Sequence, residues 1–261
     1  MAEKILQKLY NGKIEIAFYP DSHRYKIEGQ KDWLISVTAA TGMINKPLLI
    51  DWAVKLMREE LIDKRNRGVH IDIPMIIEAS SLHRVRKEEA ATKGKSVHKW
   101  CQNYILFKTK QRTAQPEEPT DEQVYNGVMA FLDWEQQNKI KWLASEKMVY
   151  SKKYNYVGQM DAKAEVNGQL CVIDFKTGNA IYNEMRYQTA AYQAADEEET
   201  NEKYTGDRWI VRFDKDTAQF EAKQYGDFDR DFAAFLGALE LKKREKELSG
   251  IIIKKKVNLD Y

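Results

Sequence analysis

The sequence predicts an α/β chain of the α+β kind, in which strands and helices contribute to one core. Two segments flanking Asn167-Gly168 alternate in polarity and read as a hairpin, because a type I′ turn needs positive φ at both centres. Trp209 to Phe213 and Ala218 to Tyr225 form a second such pair. Apolar residues recur at helical spacing in segments that begin near residues 47, 88, 122, 183 and 229.

Length and composition bound the reading. At 261 residues the chain is expected to form a single domain. Its parts are an N-terminal hairpin and helical elaboration over about 1–90, a core over about 91–225 and a final helix over 229–248. A hydrophobic content of 43% beside 31% charged residues is that of a globular protein, and no run of 18 apolar residues is present to span a membrane. Met1 to Lys8 lacks the apolar stretch of a secretory signal, so a cytoplasmic setting is expected. Cys101 and Cys171 read as reduced core residues, and two cysteines cannot supply a four-cysteine zinc or iron-sulfur cluster. The net charge is only +2, but basic residues gather in 84–99 and 242–256, and Asp196 to Glu199 form an acidic run. Such runs are ordinarily solvated faces; where they bind phosphates, affinity falls steeply with salt.

The elements follow in order. Ile14 to Tyr19 and Tyr25 to Ile27 alternate as a hairpin with turn chemistry at Pro20-Asp-Ser, and Leu34 to Thr38 reads as a short strand. Pro47 opens an amphipathic helix carrying Leu48, Leu49, Trp52, Ala53, Leu56 and Leu61, with Trp52 expected in the core. Gly68 to Pro74 reads as a connection, Met75 to His83 as a short helix and Glu88 to Lys108 as a longer one. The stripe of that longer helix is Val97, Cys101, Tyr104, Ile105 and Lys108, with His98 beside it. Thr109 to Asp121 is a loop, and Thr120-Asp-Glu-Gln123 reads as a capping box before a helix through Glu135. Trp134 and Trp142 are expected in the core. Leu143 to Ser151 is a strand carrying Glu146, and Asn183 to Glu199 is a helix that places Gln188 and Tyr192 on one face with Ala191 and Ala195. Phe232, Phe235, Leu236 and Leu239 make the buried face of the last helix.

The chemistry lies in the hairpin. A two-residue loop pairs Val166 with Gln169, so the count outward sets Asp161 opposite Asp174. Alternation puts Asp161, Gln159, Lys163, Glu165, Asp174 and Lys176 on one part-exposed face, and Met160, Ala162, Ala164, Val166, Cys171, Ile173 and Phe175 on an apolar one. Opposed like charges are unfavourable unless something offsets them, and a divalent cation is the simplest offset. Mg²⁺ takes carboxylate, water and phosphate oxygens, and Lys176 could orient or deprotonate a water or stabilise charge developing on a phosphate. By itself this pattern is more often that of an ordinary two-faced hairpin with charges on its wet side.

Asp174-Phe-Lys176-Thr-Gly178, preceded by Val157-Gly-Gln-Met-Asp161 and followed by Gln188-x-x-x-Tyr192, resembles the nuclease core of the PD-(D/E)xK superfamily, specifically its RecB-like branch. Gly94-Lys-Ser-Val-His98 looks like the Gly-(Thr/Ser)-x-x-His helix of that branch, departing in the Lys between Gly94 and Ser96. Ser36-Val-Thr with Lys46-Pro-Leu-Leu-Ile-Asp-Trp52 is similar to the front end of the mitochondrial genome-maintenance exonucleases and phage-encoded relatives. The resemblance implies a restriction-endonuclease-like fold, a central mixed sheet flanked by helices. It implies a metal-dependent DNA exonuclease of recombination, repair or phage DNA processing, bacterial or phage-encoded. Asp161, Asp174 and Lys176 would be catalytic, and His98, Asp161 and Asp174 would hold one or two Mg²⁺ or Mn²⁺ ions, an imidazole favouring Mn²⁺. Glu146, Thr177, Gln188 and Tyr192 would support the site or guide the strand, although Glu146 alone reads equally as an exposed strand carboxylate. Partners would be single-stranded DNA or duplex ends, with an annealing protein or helicase conceivable. The alternatives are a structure-specific or restriction-type endonuclease and a non-catalytic DNA-binding module, the latter disfavoured by the intact acids and lysine.

Overall fold

The computed structural model describes residues 3–257, with side chains described through residue 249. Lys254, Lys255 and Lys256 of the basic C-terminal run therefore lie outside the described side chains. An N-terminal meander of β1 (Ile5–Leu9), β2 (Ile14–Tyr19), β3 (Arg24–Ile27) and β4 (Trp33–Ser36) runs into a short helix α1 (Val37–Thr41). Two long helices follow, α2 (Pro47–Asn66) and α3 (Ile73–Lys108), and then α4 (Glu122–Gln137). The hairpin built on the Asn167-Gly168 turn is β6 (Tyr156–Val166) and β7 (Gln169–Lys176), entered through β5 (Ile140–Ser151). The chain ends with α5 (Asn183–Thr200), β8 (Arg208–Phe213), β9 (Phe220–Tyr225) and α6 (Phe228–Val257).

The result is an α+β fold: a nine-stranded mixed sheet with helices on both faces. β5, β6 and β7 are antiparallel, α5 crosses over to bring β8 parallel to β7, and β9 returns antiparallel. β6 has β5 along one edge, while its other edge is divided. β4 joins it in parallel at Tyr156 and Val157, and β7 pairs with it from Ala162 to Val166. The stretch 158–161 lies between them, open along that edge.

The central strands are buried on both sides, as a parallel crossover requires. Val97, Cys101, Tyr104 and Ile105 of α3 and Phe131 and Trp134 of α4 pack on Ala162, Ala164, Ile173 and Phe175. On the other face Tyr192 and Ala195 of α5 and Phe235 and Leu239 of α6 pack on Tyr156, Met160 and Val172. Trp134 and Trp142 are core residues, as expected. At the α6 end, the buried Arg208 guanidinium pairs with Asp231, which Arg186 also reaches, tying β8 and α5 to α6.

The structure differs from the sequence reading at several places. Residues 75–83 and 88–108 are parts of one 36-residue helix, because 84–93 holds neither Gly nor Pro and is rich in strong helix formers. The cap of α4 is Asp121, whose carboxylate accepts from Val124 N at 3.0 Å, one residue later than the expected threonine. The apolar stripe of α2 reaches no core: none of its residues is buried, and Trp52 is only half-buried. The hairpin's polar face is part-exposed, as expected, at Gln159, Asp161, Glu165 and Lys176, while α5 covers Val172, and Lys163 and Asp174 are buried. Met160, expected with Ala162, packs on the opposite side among Tyr192 and Val172. The acidic run is not solvated. Asp196 is fully buried between the Lys147 and Lys163 ammonium groups, and Glu198 accepts from Ser151 Oγ and Lys152 N. Among the described residues no helix is long and apolar enough to cross a membrane.

Candidate active site

The Asn167-Gly168 turn sets the register from Val166↔Gln169 to Ala162↔Ile173, as the sequence predicts, and there the ladder stops. Asp161 is the one β6 residue that β5 skips as well, since Ser145 pairs with Ala162 and Lys147 with Met160. Glu146, the residue passed over on β5, has φ +50°. A left-handed backbone in a non-glycine residue costs about 1 kcal/mol or more and swings its side chain off the strand's alternation. In place of a ladder bond, Asp161 Oδ2 accepts from Phe175 N at 2.7 Å. Asp161 and Asp174 therefore do not pair across the ladder; the first carboxylate stands in for the missing backbone partner.

Three ligand-type side chains meet at this interruption. One donor atom each from His98, Glu146 and Asp161 lies within 4.8 Å of the others, and His98 Nδ1 is 3.7 Å from Asp161 Oδ2. Asp174 stands outside that group. It is 1% exposed, its Oδ1 accepts from Gln188 Nε2 at 3.2 Å, and the Lys176 ammonium lies against its Oδ2. That Oδ2 is buried, with the Lys176 ammonium as its partner. The same Gln188 amide donates to Tyr192 Oη at 2.8 Å, so its two N–H groups are divided between the acid and the phenol.

The electrostatics follow from burial and these neighbours. Burial, with Asp161 adding to it, pushes the Glu146 carboxyl up to about 7, and burial raises Asp174 to about 6 against the pull of Lys176. Asp161 goes the other way: burial opposes its charge, but the His98 imidazole and then Lys176 and the Phe175 N–H hold its pKa below the usual range. Burial works equally against charge on His98 and Lys176, yet Asp161 raises the first and Asp174 the second. Lys176 therefore remains a cation.

Two glycines let the helices come close. A Cβ on Gly158 would lie 2.5 Å from Tyr192 Cε1, and one on Gly94 would lie 2.5 Å from Thr177 Oγ1. Gly94 thus seats α3 directly on the Thr177 that follows the lysine, and Lys215 Nζ donates to the Thr177 carbonyl at 2.8 Å. His98, one turn on from Gly94, faces Phe175 and Asp161. A cleft of 510 Å³ opens over these groups, with Glu146, Asp161, Thr177, Gln188 and Tyr192 in its wall. The sequence reading missed the part of that wall supplied by the N-terminal meander: His23, Tyr25 and Ser36. Apart from the Ser36-Val-Thr resemblance, the only signal there was alternation, which places strands but does not say where their ends abut the rest of the sheet.

No family model matches the chain, and no curated protein matches it.

Proposed function

We propose that this chain is a metal-dependent DNA nuclease of the PD-(D/E)xK class, RecB-like branch, acting as an exonuclease that hydrolyses phosphodiester bonds in linear DNA. The observation that carries this reading is the convergence at one break in the β6 ladder of His98, Glu146 and Asp161, with Asp174, Lys176, Gln188 and Tyr192 behind them. Residues from five elements meet there in the order the motif resemblance implies.

The donor set fits Mg²⁺ or Mn²⁺. Carboxylate oxygens suit either ion and an imidazole shifts the preference towards Mn²⁺. His98, Glu146 and Asp161 would hold the ion, and Asp174, paired with Lys176, would be the further carboxylate beside them. A bound divalent cation would polarise a phosphoryl oxygen and lower the pKa of a coordinated water. The protein's own groups do the rest. Lys176, kept protonated by Asp174, presents positive charge to the oxygens on which charge develops at phosphorus, a role for a cation and not for a base. Gln188 fixes Asp174 and is itself held by Tyr192, which makes it a positioning residue for the site before it is a guide for DNA. Recombination, repair or phage DNA processing is the setting in which such an activity would serve.

The test is cleavage of end-labelled linear single-stranded and double-stranded DNA beside closed circles, with Mg²⁺, Mn²⁺ or EDTA. Metal-dependent loss of linear DNA alone, abolished by Lys176→Ala, is the expected result. Cutting of circles would replace the exonuclease by an endonuclease, and DNA binding without cleavage under any metal would leave a binding module.

A further inference from the structure

A second cavity, of 560 Å³, adjoins the candidate active cleft and shares His23, Tyr25 and Ser36 as a common wall. Its far side is built by Trp33 of β4 and by Lys242 and Lys246 of α6. Trp33 is 37% exposed, unusual for an indole that could have been buried. Two cations from the neighbouring strand lie over its ring, Arg24 Cζ at 5.5 Å and Lys26 Nζ at 5.6 Å from the centroid. Lys246 Nζ donates to the Trp33 carbonyl at 2.9 Å, which fixes α6 against this strand. The cavity's one carboxylate, Glu245, is already engaged by Lys242. His23 stands at the junction with φ +50°, its ring edge-on to Tyr25.

An exposed aromatic ring with positive charge around it is the composition of a surface for nucleic acid without sequence preference. Bases in a duplex already have their faces occupied by stacking, so only an unpaired base offers one to Trp33. We propose that this second cavity is a subsite for single-stranded DNA, taking the strand that leads over His23 from the active cleft, with Trp33 stacking on a base and Arg24 and Lys246 meeting phosphates. The inference rests on the reading of this chain as a DNA nuclease, and it supplies what that reading leaves open, the strand form of the substrate. It also gives a role to the basic start of the run at 242–256, which the active cleft does not use.

The experiment measures binding and needs no cleavage. Fluorescence anisotropy in EDTA compares end-labelled oligothymidylates of about 4 and about 12 nucleotides, within the range of site sizes of single-strand binders. The chains compared are wild type, Trp33→Ala and Arg24→Ala. The longer strand should bind either variant at least about fivefold more weakly than wild type, the lower end of what one base–aromatic stack contributes. The shorter strand, which the active cleft can hold alone, should be unaffected, and Arg24→Ala should flatten the salt dependence by about 0.7 in log–log slope. Arg24 is exposed, so its variant keeps the test informative where Trp33→Ala perturbs folding. Equal affinity of all three proteins for the longer strand overturns the subsite even if the wild type cuts DNA. Binding that depends on Trp33 and Arg24 in a protein that cuts nothing with any metal upholds the subsite and overturns the nuclease.

Discussion

Replacing Gly158 by alanine puts a methyl group into space that Tyr192 and Val37 already occupy. The added Cβ would lie 2.5 Å from Tyr192 Cε1 and 2.9 Å from both Tyr192 Cδ1 and Val37 Cγ2. Carbon atoms sit comfortably about 3.5–4.0 Å apart, so the two side chains must retreat by roughly 1 Å between them. Both are buried side chains at the edge of the cleft. Val37 is fully buried and Tyr192 is 2% exposed, in a cluster with Met160, Ala195 and Phe235. Overpacking of this kind costs about 1–3 kcal/mol. In a chain of this size that lowers Tm by roughly 2–12 °C. Moving the phenol also releases its hydrogen bond from Gln188, so Asp174 loses its fixed partner and the proposed cleavage falls with stability. Urea unfolding followed by tryptophan fluorescence should show a lower midpoint with an unchanged m-value. Truncating the ring as well, in Gly158→Ala with Tyr192→Ala, should cost less than the two single changes added together, with a coupling of about 0.5–3 kcal/mol. A Gly158→Ala protein within about 0.5 kcal/mol of wild type, or strictly additive costs, would refute the contact as the reason for glycine here.

Three further outcomes are expected. Asp196→Asn should destabilise by about 3 kcal/mol at neutral pH, since it leaves the Lys147 and Lys163 ammonium groups facing a neutral amide in a buried place. The Asp196 pKa is held below its ordinary value by these lysines in spite of burial, so its contribution is complete above the usual carboxylate range and is lost as pH falls through the folded pKa. Urea midpoints of the two proteins should converge in acid, and a gap that does not narrow would contradict the ion pair as its source. Glu146→Gln should act in the opposite sense when measured in EDTA. With the wild-type carboxyl raised by burial to about 7, the folded state loses stability as pH climbs from the unfolded pKa towards that value, and the amide should exceed wild type by up to about 3 kcal/mol at pH 8. A glutamine variant no more stable than wild type at that pH would place the Glu146 side chain in water. Lys176→Ala should reduce cleavage at least about a hundredfold, the usual cost of one preorganised charge, while DNA affinity in EDTA stays within about twofold; a parallel loss of affinity would make the lysine a binding group.

The sequence carried the sheet well where local rules decide. Asn167-Gly168 fixed a loop and, through it, five cross-strand pairs from Val166↔Gln169 to Ala162↔Ile173. Strand and helix bounds at 156–166, 169–176 and 183–200 followed from alternation and period with little error. The same rules failed at the next residue. Alternation assumes an unbroken strand, and it put Asp161 beside Asp174 and Met160 beside Ala162. A helix that must seat at Gly94 and an acid that takes the Phe175 N–H are tertiary facts without a periodic signature. The burial of Asp196 was hidden for a related reason, because its cations come from β5 and β6, 49 and 33 residues away. A run of four acids reads as solvated until the partners of one of them are known. The exposed stripe of α2 shows the converse: amphipathic period identifies a helix, but it does not say that anything lies against its apolar side.

The break at Asp161 is also what allows two helices on opposite faces of the sheet to act on one place. In a regular strand, Met160 and Ala162 would share a side and Asp161 would face away from both. Here Met160 packs with α5 and α6 while Ala162 packs with α3 and α4, and Asp161 turns towards His98 of α3. Asp174, on a strand that keeps its alternation, stays with Gln188 of α5. Each acid is therefore positioned by a different helix, and the ladder that would have joined them directly is absent at that level. Such a site depends on both helices being seated, through Gly94 against Thr177 on one side and Gly158 against Tyr192 on the other. Hairpin formation alone, which the turn secures locally, is insufficient to assemble it. The two close-approach glycines sit beside the ligand-type residues in both motifs because a larger side chain at either would move a helix, and with it the group that helix presents.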